Sequence, residues 1–291
     1  MNKWQEPSEL DRVDAHRGNA EWVAGQWREP ETRVLNVDET GRCFVNPDRT
    51  LRLVKPFGEF DPAEHYLLGT VEDRAVFVSN ALSEGETATL REVLVDAAPI
   101  DRDLAAAGVG LLNWHRNGRF CPRDGSPTTV IRGGLARQCD LCGQEIFPRS
   151  DPAVIVAIVD ENDRLLLAHQ RIWAEGRVSV LAGFVEVGES FEQAVHREIG
   201  EEADVRLGEL SYFGSQPWPF PQSIMIGFIA RASSESIAVD GEEIEWANWY
   251  TRDELTRAVE SGELILPGKA SIAHRLIMAW WQTDGEIPEN W

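Results

Sequence analysis

Three glutamates on one predicted helix, Glu198, Glu201 and Glu202, carry the clearest chemical signal in this chain of 291 residues. Positions i, i+3 and i+4 share one face of a helix, so the three carboxylates repel one another unless a cation lies among them. Clustered hard oxygen ligands suit Mg²⁺ or Mn²⁺, and these ions serve phosphate chemistry. The same spacing taken alone is common on solvated helix faces, so the surrounding sequence must decide between the two interpretations.

The residues before the glutamates form a loop that leads into the helix. Ser190 and Gln193 have the spacing of a capping box at the helix N-terminus. Phe191, Val195 and Ile199 then form an apolar stripe that is predicted to face the core.

Gly183, Glu189 and Arg197 stand at fixed distances upstream of the glutamates. The run resembles the Nudix box, Gly-x5-Glu-x7-Arg-Glu-U-x-Glu-Glu-x-Gly-U, in which U is a bulky aliphatic residue. Asp204 stands where the family has Gly, in a position where positive φ is expected, and Asp tolerates that conformation better than most residues. The other fixed positions match, so the resemblance favours a metal site over a solvated face.

The resemblance assigns roles to individual residues. It implies that Mg²⁺ or Mn²⁺ is bound by Glu198, Glu202, Glu243 and the backbone carbonyl of Ala182. It implies that an ion pair between Glu189 and Arg197 fixes the loop against the helix. Either Glu201 or Glu202 orients or deprotonates the attacking water, and the sequence leaves this choice open.

A cysteine pattern lies upstream, where fourteen residues separate Cys121 and Asp124 from Cys139 and Cys142. Two Cys-x2-Cys pairs at such a distance are typical of a zinc ribbon, and here Asp124 replaces one Cys. Because a carboxylate oxygen can ligate Zn²⁺, the sequence predicts a structural zinc site. The alternative is a metal-free knuckle held by packing. Cys43 is predicted to be a buried apolar thiol.

A proline-rich motif, Ser-Gln-Pro-Trp-Pro-Phe-Pro-Gln-Ser at residues 215–223, begins 13 residues after Glu202. Its three prolines exclude a regular helix or a central strand and predict a stiff loop that presents Trp218 and Phe220. The two rings and two Gln side chains suit a flat heterocycle such as adenine or nicotinamide. The alternative is a surface loop whose rings fill the core.

This motif is similar to the Gln-Pro-Trp-Pro-Phe-Pro-x-Ser signature of Nudix NADH pyrophosphatases, and the resemblance extends over about residues 119–280. It implies a Nudix fold of the α/β (α+β) class, with a mixed sheet sandwiched by helices. The expected segments are an α+β N-terminal domain (1–118), a zinc-ribbon-like segment (119–148) and a Nudix hydrolase domain (149–291). The implied substrate-binding residues are Phe147, Gln216, Pro217, Trp218, Pro219, Phe220, Pro221, Gln222, Ser223 and Ala273.

Hydrophobic patterning predicts the individual elements. In the N-terminal part it predicts strands at 50–54 and 75–79 and helices at 86–98 and 101–117, the second capped by Asp101. Further along it predicts strands at 153–159, 165–169, 178–184, 205–213, 224–232 and 244–249. Helices are predicted at 191–203, after Thr251, and at 271–282.

The amino-acid composition limits the classes of partner that the protein is expected to bind. The formal net charge is −21, which repels a phosphate backbone and excludes broad, non-specific binding of nucleic acid. No stretch approaches the ~20 apolar residues of a membrane span, and the first seven residues lack the apolar core of a signal peptide. The sequence therefore predicts a cytoplasmic protein without a membrane partner.

The resemblance implies metal-dependent hydrolysis of the pyrophosphate bond of NADH or NAD⁺, which yields AMP and nicotinamide mononucleotide. One alternative keeps this chemistry and removes NAD caps from RNA 5′ ends. The other is a non-catalytic, nucleotide-sensing Nudix regulator, which the intact acidic positions of the box disfavour. A homodimer is expected from the resemblance alone.

Overall fold

The computed structural model describes residues 4–80 and 85–282. The chain forms two compact units, and neither is continuous in sequence. The N-terminal unit consists of Glu6–Ser150 and Trp218–Gln222. The C-terminal unit consists of Met1–Gln5, Asp151–Pro217 and Ser223–Trp291. The outermost ends of the predicted N-terminal and Nudix segments, 1–3 and 283–291, lie outside the described residues.

The N-terminal unit begins with an α+β region. Its elements are α1 (Asp14–Arg17), α2 (Ala20–Arg28), β1 (Arg33–Asn36), β2 (Cys43–Phe44), β3 (Leu53–Val54), β4 (His65–Val71), β5 (Arg74–Ser79), β6 (Thr87–Ala88), α3 (Leu90–Asp96) and α4 (Pro99–Asn117). The main sheet has the order β3-β1-β5-β4. Val23, Trp27, Leu67 and Phe77 are at the centre of one of its cores.

Both helices predicted in this region exist, but their starts differ from the prediction. Thr89 caps α3 through a capping box with Glu92, and the two residues before it form β6 instead of helix. Helix α4 begins at Pro99, and no side chain caps it. Asp101 lies in its first turn, where its carboxylate accepts a hydrogen bond of 3.3 Å from the Leu51 amide. The prediction that Asp101 is the cap was therefore wrong.

A small sheet completes the N-terminal unit. It consists of β7 (Thr128–Ile131), β8 (Ala136–Cys139) and β9 (Glu145–Ile146), in that order. His115 of α4 joins this sheet to β4, because its ring stacks on Tyr66 at 3.8 Å and its Nε2 lies 2.7 Å from the Gly134 carbonyl oxygen. Burial lowers the pKa of His115 to about 4, so the buried ring stays neutral.

The C-terminal unit is built on one mixed sheet. Its elements are β10 (Asp151–Val159), β11 (Leu165–Gln170), β12 (Leu181–Phe184), α5 (Phe191–Ala203), β13 (Leu207–Trp218), β14 (Ser223–Ala232), β15 (Ile244–Tyr250), α6 (Arg252–Glu260) and α7 (Ile272–Trp281). The order is β13-β14-β10-β11-β15, and β12 pairs with β10. Strands β10 and β14 are parallel, whereas β10 and β12 are antiparallel.

Helices cover both faces of this sheet. Ala194, Val195 and Ile199 of α5 pack into the core on one face. Leu255 of α6 and Leu276 of α7 pack into the core on the other face. The mixed sheet sandwiched by helices is thereby confirmed. Within the described residues, no helix has both the length and the apolar character that a membrane span requires.

Strands β3 (Leu53–Val54) and β12 (Leu181–Phe184) are shorter than the predicted 50–54 and 178–184, whereas β13 is longer than predicted. Strand β13 continues past Phe213 to Trp218, so the first four residues of the proline-rich motif are strand and not loop. Pro217 is tolerated there because β13 is at the edge of the sheet, where a missing backbone donor breaks no central hydrogen bond.

Candidate active site

Helix α5 carries Glu198, Glu201 and Glu202 and packs on one face of the sheet. Ser190 and Gln193 form the predicted capping box at its N-terminus. Val195 and Ile199 are fully buried, but Phe191 is 42% exposed, so the predicted apolar stripe is wrong at its first position. Ala194 is buried in its place, because the first helical residue precedes the turn that packs on the sheet. Asp204 ends the helix with φ 52° and ψ 31°, the left-handed conformation expected at this position.

Gly183 of β12 allows α5 to approach the sheet closely. A Cβ atom at residue 183 would overlap the carboxyl group of Glu198. Gly183 pairs with Val154 and its neighbour Ala182 pairs with Ile155 on β10, so the two successive residues face opposite sides of the sheet. The glycine of the motif therefore makes room for a carboxylate.

Arg197 links three of the acidic side chains. Its Nη2 and Nε donate to the two carboxylate oxygens of Glu189, at 2.6 and 3.1 Å. Its Nη1 lies 2.9 Å from Glu198 Oε1 and 3.1 Å from Glu201 Oε2. Glu189 also accepts a hydrogen bond of 2.7 Å from the Glu186 amide, so the ion pair predicted from the sequence fixes the loop to the helix.

Glu202 is the buried member of the acidic group, with 5% of its surface exposed. Its Oε2 is buried and finds no hydrogen-bond partner among the described residues. Burial raises the pKa of Glu202 to about 8, and the negative charges of Glu243 and Glu198 add to this effect. A buried carboxylate without a partner is costly, and a cation beside it would remove that cost.

The third predicted acidic ligand, Glu243, precedes β15. It is exposed, and its carboxylate accepts a hydrogen bond of 3.0 Å from Gln170. Asp240 holds the turn before it, because its carboxylate accepts from the amides of Glu243 and Ile244 at 3.1 and 2.9 Å. Asp240 was not predicted from the sequence, although the Asp-Gly pair that it forms with Gly241 is a common turn signal.

The glutamates fit a divalent cation by their chemistry, but they are not drawn together around one. Among the described residues, the four ribbon residues form a converged group of ligand atoms, and Glu198, Glu202 and Glu243 do not form one. Arg197 holds the Glu198 carboxylate, with its Nη1 2.9 Å from Glu198 Oε1. A cation placed among them would compensate the repulsion that raises the pKa of Glu202.

The ribbon residues do converge. Single ligand atoms of Cys121, Asp124, Cys139 and Cys142 all lie within 4.8 Å of one another. The two turns that carry them are built alike, because the amide of Gly125 donates to Cys121 O in the first turn and that of Gly143 donates to Cys139 O in the second. Asp124 therefore occupies in the first turn the place that Cys142 occupies in the second.

The chemistry of this set suits a closed zinc site, which takes four ligands from thiolates, imidazoles or carboxylates. The hydrogen bond of 3.3 Å from the Cys142 amide to Cys139 Sγ is the largest of the effects that lower the pKa of the Cys139 thiol. Cys43 is fully buried elsewhere, and burial raises its pKa to about 12, which is consistent with the apolar thiol predicted.

The proline-rich motif is divided between the two units. Gln216 is buried in the C-terminal unit, where its Nε2 donates to Ala270 O at 2.8 Å and its Oε1 accepts from Arg275 at 3.3 Å. The Gln216 amide is therefore engaged within the protein, and its predicted role in binding a heterocycle stays a prediction. Trp218 and Phe220 belong to the N-terminal unit and form an edge-to-face pair with centroids 4.8 Å apart.

The two substrate-site candidates outside the proline-rich motif differ in exposure. Phe147 is 49% exposed, with the Arg132 guanidinium 5.8 Å from its ring centroid, so the ring is available for stacking. Ala273, a residue of α7, is only 6% exposed and packs into the core.

Comparison with known proteins gives two family matches. The NUDIX domain matches residues 149–271, and the NADH pyrophosphatase zinc ribbon domain matches residues 116–147. The chain is 40% identical over 289 residues to the NAD-capped RNA hydrolase NudC of Mycobacterium bovis, covering 93% of this chain and 92% of that protein. It is 36% identical over 254 residues to the NAD-capped RNA hydrolase NudC of Salmonella paratyphi C, covering 84% of this chain and 95% of that protein.

Among solved structures, a NUDIX hydrolase from Nitrosomonas europaea is similar with a TM-score of 0.42 and 20% identity, covering 56% of this chain and 90% of that chain.

Replacing Gly183 tests the close approach of β12 and α5. We expect Gly183→Ala to displace the Glu198 carboxylate and to weaken Mg²⁺ binding by about 10- to 100-fold, the range found when groups supporting a metal ligand are lost. Isothermal titration calorimetry measures the affinity. Gly200→Ala is the matched control, because a Cβ at that exposed position of α5 meets no atom within 4 Å. Equal affinities in the two variants would contradict the assignment.

The raised pKa of Glu202 leads to a prediction about the pH dependence of stability and about proton release when Mg²⁺ binds. The metal-free folded state keeps this proton between pH 4.5, the ordinary value, and about 8. The unfolded chain loses it over the same range, so the free energy of unfolding falls as pH rises through this window.

We expect Mg²⁺ binding at pH 7 to release about one proton from wild-type protein and none from Glu202→Gln. Calorimetry in buffers of different ionisation enthalpy measures this number. No proton release from the wild type would show that Glu202 is already ionised.

The four ribbon residues lead to a separate prediction about zinc content and thermal stability. Elemental analysis of protein purified without added metal should find about one zinc per chain, because the set fills four tetrahedral positions. Asp124→Ala should release it and lower the Tm, whereas Asp124→Cys should bind it more tightly because thiolate is the softer ligand. Arg123→Ala, an exposed change in the same ribbon, is the control. Zinc-free wild-type protein with an unchanged Tm would show a ribbon that folds by packing alone.

Proposed function

Because the chain belongs to the Nudix family and carries the zinc ribbon of its NADH pyrophosphatases, we propose that it hydrolyses the pyrophosphate bond of NADH or NAD⁺. The products are AMP and nicotinamide mononucleotide. Within this proposal the division into segments 1–118, 119–148 and 149–291 is kept. A cytoplasmic location is carried with it from the composition of the sequence, and a homodimer from the resemblance alone.

The observation that carries the proposal is the unpartnered Oε2 of Glu202 beside Glu198 and Glu243. These carboxylates, with the carbonyl of Ala182, would hold Mg²⁺ or Mn²⁺, which are the hard cations that oxygen ligands prefer. Bound there, the cation neutralises the diphosphate and lowers the pKa of the attacking water.

The other residues orient these groups. Arg197 and Glu189 keep the loop against α5, so that Glu198 stays next to Gly183. We assign the orientation of water to Glu201, because its side chain is 63% exposed, whereas Glu202 is assigned to the cation. Arg197 holds the Glu201 carboxylate at 3.1 Å, which limits the directions in which it can accept a proton.

The base-binding part of the proposal rests on Trp218, Phe220 and Phe147. Aromatic faces stack on flat heterocycles whatever the base, which suits both ends of a dinucleotide. The remaining residues of the motif, Pro217, Pro219, Pro221, Gln222 and Ser223, set the path of the backbone around the rings. Ser223 opens β14, where it pairs with Asp151.

A second candidate substrate is the NAD cap of an RNA 5′ end. It is favoured by the relatives at 40% and 36% identity, which are named NAD-capped RNA hydrolases. The net charge of −21 does not oppose it, since reading a cap needs few phosphate contacts.

Mass spectrometry of the products from NADH, NAD⁺ and NAD-capped RNA, with Mg²⁺ or Mn²⁺, tests the proposal. We expect AMP and the mononucleotide from the free dinucleotides. Glu198→Gln should lower kcat by about 10²-fold or more, because its charge acts where negative charge develops in the transition state. Glu192→Gln, an exposed glutamate in the first turn of the same helix, should retain activity. Nucleotide binding without any product would instead indicate a sensor.

A further inference from the structure

The aromatic part of the proline-rich motif is held by the helices of the N-terminal unit. Asn113 of α4 donates through Nδ2 to the carbonyl oxygen of Pro219 at 3.4 Å. One turn earlier, a Cβ atom at Gly110 would lie 3.4 Å from the Pro219 ring, so α4 packs directly on the segment. The orientation of Trp218 and Phe220 therefore depends on a region of the chain far away in sequence.

A positive charge lies next to the two rings. The Arg91 guanidinium carbon, on α3, is 5.4 Å from the Trp218 centroid and 4.7 Å from the Phe220 centroid. Both distances are within the range of a cation–π interaction. Among the residues that the structure describes, Arg91 forms no ion pair, so no described carboxylate neutralises its charge.

We propose that Arg91 is a specificity-determining residue, whose charge at the Trp218–Phe220 pair favours the reduced dinucleotide over the oxidised one. This inference rests on the proposed function and adds to it that the ring pair stacks on the nicotinamide. The nicotinamide ring of NAD⁺ carries a positive charge, whereas that of NADH is neutral. The rest of the two molecules, including adenine and diphosphate, has the same charge.

Arg91 disfavours stacking of the positively charged nicotinamide ring of NAD⁺ in two ways. Arg91 repels a second cation that stacks on the rings, and it already occupies part of their negative π-face. Because the guanidinium is exposed to solvent, the repulsion is screened, and its expected size is about a two- to fivefold difference in kcat/KM. A neutral ring suffers neither effect.

The experiment measures kcat/KM for NADH and for NAD⁺ with the full-length protein and four sequences. Wild type and Arg91→Lys keep the charge, and Arg91→Met removes it while retaining an apolar stem. Arg28→Met, at the end of α2, removes one exposed charge elsewhere in the same unit. We expect the ratio of kcat/KM for NADH to kcat/KM for NAD⁺ to fall about two- to fivefold in Arg91→Met and in no other sequence.

A purely structural role for Arg91 would lower both rates and leave the ratio unchanged, and that result would overturn the inference. So would an unchanged ratio with undiminished rates, which would place adenine on the ring pair. A wild-type protein that cleaves neither dinucleotide would overturn the proposed function and this inference with it.

If Arg91→Met does not fold, the salt dependence of the wild-type protein tests the inference instead. Raising the salt concentration screens exposed charges, so the NADH preference should decrease toward unity as ionic strength rises. A preference that does not change between low and high salt would show that the charge of Arg91 does not set it.

Discussion

The carboxylate of Glu202 lies inside the protein, close to other negative groups, and its Oε2 has no partner among the described residues. A group of this kind usually lowers stability, since burial and like charge both oppose its ionisation. Here the surroundings keep it in place. Val195 and Ile199 anchor α5 on the sheet, and the capping box of Ser190 fixes where the helix begins. The core thus holds the Glu202 carboxylate near the other negative groups. A proton or a cation on this carboxylate relieves the repulsion between them.

Arg197 divides the acidic residues into two sets. Glu189, Glu198 and Glu201 share its guanidinium, which provides donors in a rigid planar fork. Glu202 is outside this network. One set is therefore satisfied within the protein, while the buried carboxylate depends on what enters from solvent. The close packing at Gly183 connects the two, because it determines the position of Glu198.

Local signals in the sequence predict the parts of this structure that depend on local physics. The ends of α5 are examples, since Ser190 with Gln193 and Asp204 each act within one turn. Strand β13 was predicted too short because the prolines indicate where a strand cannot be central, and edge position is a property of the whole sheet. The burial of Gln216 likewise depends on Ala270 and Arg275, which lie in another element. Arg91 could not be found in this way, because its ring contacts exist only in the folded chain.

The five residues Trp218–Gln222 are grouped with the N-terminal unit although the chain on both sides belongs to the other unit. Neither unit therefore corresponds to one uninterrupted stretch of a gene. A recombination event that exchanged the segment before residue 151 would replace Asn113 and Gly110 while keeping the prolines that they hold. In evolution the first half of this protein and the aromatic motif should therefore be inherited together, and lineages that lose one should show changes in the other.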